Sequence, residues 1–125
     1  VTAGIIKPSD IVGYRSHQVY IRNSMHTPLN PGALRDAMTT LFELLKEEPE
    51  ACVRAVLGHF LFTYIHPFMD GNGRIGRFLM NAMLASGGYD WLIIPVERRD
   101  EYMAALEKAS VEGNIVPFVR FLSSI

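Results

Sequence analysis

The stretch between Pro49 and Pro67 limits the possible folds more than any other part of this chain. From Glu50 to His66 it is apolar over most of a helical circumference, the pattern of a helix buried inside a bundle. Its polar exceptions, His59, Thr63 and His66, fall at i, i+4 and i+7 and share one narrow face. A buried helix needs companions, and the flanking sequence supplies them. Asn30-Pro31 reads as an N-cap followed by a first-turn proline. Leu34, Ala37, Met38, Leu41, Phe42 and Leu45 then form an amphipathic stripe that Pro49 ends. Further helices are predicted from Asn72 to Ser86, stopped by Gly87-Gly88, from Asp100 to Ala109, and from Ile115 to Ser124. Met38, Met80, Met83 and Met103 read as core. The fold class is all-α, a helical bundle.

Residues 1 to about 30 lack this period. Val19-Tyr20-Ile21-Arg22 reads as extended, with Val19 and Ile21 on one face and Tyr20 and Arg22 on the other. Ile11 to Arg15 is a second extended candidate, and the two predict a β-hairpin flap over residues 11–23, turning at Ser16-His17-Gln18. At 125 residues the chain is one domain, large enough for one core. A composition 49% hydrophobic and 20% charged argues against disorder. A net charge of -1 gives no bulk attraction to nucleic acid or anionic lipid. No apolar run approaches a membrane span. A lone Cys52 excludes an internal disulfide and a multi-cysteine zinc site. The first residue is Val1, so a piece of a longer chain is expected.

Chemistry concentrates in His66-Pro67-Phe68-Met69-Asp70-Gly71-Asn72-Gly73-Arg74-Ile75-Gly76-Arg77. This is a helix end, a short loop and a helix start. Free N–H groups and the positive dipole end at that start favour an anion, and glycines let the amides curl towards one point. Arg74 and Arg77, at i and i+3, can lean over the same anion. Asp70 is the one carboxylate beside this positive pocket, placed to hold a Mg²⁺ that already bridges phosphate oxygens. His66 is the base that works near neutral pH. Together these features point to chemistry on a polyphosphate.

The same segment resembles the signature of the Fic (filamentation induced by cAMP) family, His-x-Phe-x-Asp-Gly-Asn-Gly-Arg-x-x-Arg. Its eight fixed positions are all present, as His66, Phe68, Asp70, Gly71, Asn72, Gly73, Arg74 and Arg77. Chance would give them about once in 10^10 starting points. Gly13-x-Arg15, Val19-x-Ile21, His26-x-Pro28 and Pro31 look like the family's flap and exit loop, and Pro117 to Leu122 looks like its last core helix. The resemblance implies a Fic catalytic domain over residues 1–125 that transfers AMP from ATP, with Mg²⁺, to a Ser, Thr or Tyr hydroxyl of a target protein. It implies His66 as general base and Asp70 as metal ligand. Gly71, Asn72 and Gly73, including the Asn72 side chain, would cradle the α- and β-phosphates. Arg74 and Arg77 would neutralise the β- and γ-phosphates, and Phe68 would be a buried anchor. Val19, Tyr20, Ile21 and Arg22 would dock the target, Val19 also lying by the adenine. Tyr102 would be an adenine contact, with Ser110 nearest to a position where the family often has Asn.

Competing readings remain at this level. Transfer of another phosphate-linked group, removal of AMP, and a catalytically lapsed nucleotide-binding interaction module are the alternatives. Gly71-x-Gly73-x-x-Gly76 satisfies a dinucleotide-binding spacing, but a helix rather than a strand leads into it. His59 reads as a buried, hydrogen-bonded histidine, and Arg98-Arg99 as a solvated helix start. The family's inhibitory Ser/Thr-x-x-x-Glu-Gly/Asn is not met by Thr39-x-x-x-Glu43-Leu44 or by Lys108-x-x-x-Glu112-Gly113. An inhibitory segment or antitoxin partner outside these residues is therefore expected. The lone cysteine and missing leader point to a cytoplasmic, bacterial setting; the resemblance also admits a secreted effector or the endoplasmic reticulum.

Overall fold

The computed structural model describes residues 13–125. Five α-helices and no strand are found among them: α1 (Leu34–Glu47), α2 (Ala51–Ile65), α3 (Asn72–Ser86), α4 (Arg99–Glu112) and α5 (Val116–Ser123). Asn30 caps as its sequence suggests, its Oδ1 accepting from Gly32 N at 2.9 Å, but the first turn it starts is a 3-10 turn, Pro31–Ala33. None of the helices is long and apolar enough to cross a membrane.

Two core clusters meet on α2. One joins Leu34, Met38, Leu41 and Leu45 of α1 to Phe62 and Ile65. The other joins Ala55 and Met80 to Tyr102 and Ala105 of α4 and to Phe118, Phe121 and Leu122 of α5. Helix α2 is thus central, yet its first turns leave Val53 and Leu57 38% and 39% exposed. It is not buried all round; one flank is open. Helix α3 packs along α2 most extensively. Gly76 makes this close approach feasible, because a Cβ there would come 3.1 Å from His59 Nδ1 and 3.3 Å from Phe62 Cδ1. Met103 departs from the core reading and is 38% exposed.

The flap expected over residues 11–23 is not found as a hairpin. Residues 11 and 12 lie outside the described residues, and no strand forms over 13–23. Two backbone hydrogen bonds hold the segment in place of a ladder. The Arg15 backbone N–H donates to Pro67 O at 2.8 Å, tying the segment to the motif loop. Ser24 N donates to Ile21 O at 3.2 Å, with Asn23 at φ 62, so the chain turns where the extended reading ended. Asparagine tolerates that left-handed conformation better than most residues.

Candidate active site

His66 ends α2 in the left-handed conformation (φ 55, ψ 61). This turn is held from outside the helix. The Arg15 side chain is 2% exposed, and its Nε donates to His66 O at 2.6 Å and one Nη to Ile65 O at 3.2 Å. Its remaining donors reach His17 O and Leu29 O. A guanidinium at the negative end of a helix is favourably placed. Burial pushes its pKa below the ordinary arginine value.

The motif loop is closed by Asn72. Its Oδ1 accepts from Phe68 N at 2.9 Å and its Nδ2 donates to Phe68 O at 2.7 Å. The side chain is buried, with its oxygen and its nitrogen both bonded to the loop. Phe68 is half-buried and packs on Tyr14 and Phe62, with ring centroids 5.8 and 6.2 Å away. Gly71, at φ 80, is the residue that turns the chain into α3, and its N–H donates to Asp70 Oδ1 at 2.8 Å.

A cleft of about 810 Å³ opens above this loop, within the range of small-molecule sites. One wall carries Thr63, His66, Asp70, Gly73 and Arg77; the other carries Tyr20 to Ser24 and, from α4, residues including Tyr102, Met103, Glu107 and Ser110. The structure therefore brings together His66, Asp70, Gly73, Arg77, Tyr102, Tyr20, Ile21 and Arg22. Val19, Gly71, Asn72 and Arg74 do not line it. Arg74 is exposed, and a Cβ on Gly71 would lie 3.8 Å from its Nη2. Arg77 folds back over the start of α3, where a Cβ on Gly73 would lie 3.2 Å from its Nη1. Neither guanidinium forms an ion pair among the described residues. Two guanidiniums near a positive helix end, neither in an ion pair, favour an anion there.

His66 is half-buried, and Nδ1 lies 3.3 Å from Thr63 O. Assigning the proton to Nδ1, which that carbonyl accepts, leaves Nε2 with its lone pair. Burial lowers the His66 pKa, the Thr63 carbonyl opposes this, and the charges of Arg15 and His26 lower it further. The ring is thereby kept neutral and able to accept a proton at neutral pH. His59, about two turns earlier on the same face, is fully buried and bonded through Nε2 to the Tyr102 hydroxyl at 2.6 Å. Burial pushes it down to about 4. Tyr102 is 4% exposed, stacks with His59 and packs at a tilt against Phe118 and Phe121. It is a core residue that shows the cleft only an edge.

Several site residues escape a sequence reading. Arg99, read as solvated, lines the cleft, while its neighbour Arg98 pairs with Glu101 at 2.9 Å and lies over the Phe121 ring. Asn81 clamps the connector beyond α3, accepting from Leu92 N at 2.7 Å and donating to Leu92 O at 3.1 Å. The two glutamates weighed as inhibitory, Glu43 and Glu112, are exposed and do not line the cleft. Glu112 pairs instead with Lys108 at 3.4 Å.

Known proteins share this arrangement. The sequence profile of the Fic/DOC family matches residues 4–84. "Protein adenylyltransferase Fic" of Drosophila willistoni is 39% identical over 124 residues, which is 96% of this chain and 24% of the fly protein. The Drosophila melanogaster protein of the same name is also 39% identical, covering 96% of this chain and 25% of its own length. This chain thus spans about a quarter of these relatives. Among solved structures, Fic-1 (residues 134–508) of C. elegans superposes with a TM-score of 0.78 at 32% identity, over 89% of this chain and 33% of that one. A Fic domain containing signaling protein from Bacteroides thetaiotaomicron gives 0.79 at 30% identity, over 89% and 49%. With the signature segment intact, its helices in place and its loop folded beside the cleft, the chain belongs to the Fic/DOC family.

Proposed function

We propose that this chain is the catalytic domain of a longer protein adenylyltransferase, which moves AMP from ATP to a hydroxyl of an acceptor protein. The observation that carries the reading is the Arg77 guanidinium, in no ion pair among the described residues, at the start of α3 in the same cleft as His66. The relatives named as adenylyltransferases support the same activity.

Acceptor residues enter past Tyr20, Ile21 and Arg22 at the cleft mouth, where Tyr20 is 76% exposed. His66 Nε2 takes the hydroxyl proton as the oxygen attacks the α-phosphorus. A new P–O bond forms, the bond from the α-phosphorus to the bridging oxygen of the β-phosphate breaks, and pyrophosphate leaves. Arg77 and the amides at the start of α3 hold the phosphates and neutralise the charge that builds on them. Positioning and charge neutralisation are what such a transfer chiefly needs.

The residues fit a magnesium ion that arrives with its nucleotide. Asp70 is exposed, lines the cleft, and spends Oδ1 on Gly71 N, which leaves Oδ2 outward as a ligand. No cluster of three or more His, Cys, Asp or Glu suited to a metal occurs among the described residues. Phosphate oxygens and water would complete the shell, as is usual for this ion. Bound there, it would offset negative charge on the phosphates.

Incubation with ATP labelled at the α-phosphate, beside His66→Ala, tests the proposal. Label on protein with the parent chain and none with the variant is the expected result. Label arriving from the γ-phosphate would overturn it in favour of phosphate transfer.

A further inference from the structure

Among the carboxylates that line the cleft, Glu107 is the one bonded to the turn opposite. Glu107 stands on α4, and its Oε1 accepts from the Ser24 hydroxyl at 3.0 Å and from the Met25 backbone N–H at 3.1 Å. Ser24 Oγ in turn accepts from His26 N at 3.0 Å. His26 continues the chain of contacts to α2, with Nε2 2.8 Å from Tyr64 O and its ring stacked 4.1 Å from that of Tyr64. The turn that begins at Ile21 is therefore slung across the cleft between two helices.

This suspension matters because the segment has little else to hold it. It forms no sheet ladder, and Tyr20 and Met25 are 76% and 85% exposed. A segment with few buried contacts opens locally at small free-energy cost unless specific bonds restrain it. A carboxylate that accepts two bonds is a strong restraint, because charge-assisted bonds exceed neutral ones. From these observations we infer that Glu107 is a positioning residue. It fixes the height of Tyr20 to Ser24 above the cleft, and so governs acceptor docking rather than nucleotide binding. The docking part rests on the proposed function; the tether does not.

The test uses the whole chain as enzyme and its own His66→Ala form as protein acceptor. Glu107→Ala should raise amide hydrogen exchange at Met25 and His26 about tenfold, the loss of one strong restraint. The KM for the acceptor should rise by a similar factor, with kcat held within about twofold. Glu107→Gln, which keeps an acceptor oxygen, should recover most of both. ATP affinity, measured with Mg²⁺ on the His66→Ala background, should be the same with and without Glu107→Ala. Unchanged exchange at Met25 and His26 would overturn the tether. A loss of ATP affinity with acceptor KM unmoved would assign the carboxylate to the nucleotide and overturn the inference. If Glu107→Ala does not fold, Ser24→Ala probes the tether from the other side, with faster exchange at His26 expected and unchanged exchange counting against it. A parent chain that labels nothing would sink the functional proposal, while the exchange measurement would still decide the tether.

Discussion

Arg15 Nε donates to the backbone oxygen of His66 at 2.6 Å, so the residue that fixes the base lies 51 positions ahead of it. This bond, with the one to Ile65 O, holds the last turn of α2 in its left-handed exit. Arg15→Ala should destabilise the fold by on the order of 3 kcal/mol through orphaned carbonyls; Arg15→Lys should lose less. Because the Arg15 charge also helps to lower the His66 pKa, its loss should move the acidic limb of the transfer rate to higher pH. Denaturant midpoints and a pH–rate profile measure both. A profile in Arg15→Ala identical to the parent's would separate Arg15 from the base.

The two motif arginines should not be equivalent. Arg77 lines the cleft, whereas Arg74 is exposed and does not line it. Arg77→Ala should weaken ATP binding by about 1.5–3 kcal/mol, the worth of a charge-assisted hydrogen bond. Arg74→Ala should weaken it less, and neither should lower the melting temperature appreciably. Titration calorimetry with the two variants would show the order, and a larger loss in Arg74→Ala would reverse it.

Asn72 should behave as a loop fastener. Asn72→Ala removes both bonds to Phe68, with an expected loss of about 1–3 kcal/mol of stability. Asn72→Asp should be worse, since a carboxylate cannot donate to Phe68 O. Thermal unfolding of the two variants gives the comparison; full stability in both would point back to a side chain waiting for phosphate.

Buried His59 should make the fold sensitive to acid. Its pKa is pushed from 6.5 down to about 4 in the folded chain. The unfolded chain therefore takes up a proton first, so stability from this group is full above pH 6.5 and falls as the pH drops towards 4. The slope should be about 1.4 kcal/mol per pH unit in that window. His59→Gln, compared with the parent between pH 7 and 5, should flatten the curve. Equal slopes would mean that the imidazole titrates normally.

The helices and the signature segment are legible because both are local in sequence. Periodicity placed α3 at its observed bounds and α4 and α5 within a few residues. The motif reads as a unit because His66 to Arg77 is unbroken. What stayed hidden is long-range. Arg15 with His66, His59 with Tyr102, and Ser24 with Glu107 are 51, 43 and 83 positions apart. Nothing in a single sequence marks such partners. The flap was less legible for another reason: alternation over four residues, Val19 to Arg22, is also what a short irregular segment can show, and no strand forms over 13–23.

The cleft's two sides differ in origin. The side that carries His66 and Arg77 is one continuous stretch, while the side opposite is assembled from the Tyr20–Ser24 turn and from α4. If the proposed transfer holds, chemistry and choice of customer are written in separate places on the chain. A descendant of such an enzyme could then change what it modifies, by altering a surface turn or one face of a helix, and leave the reaction itself untouched.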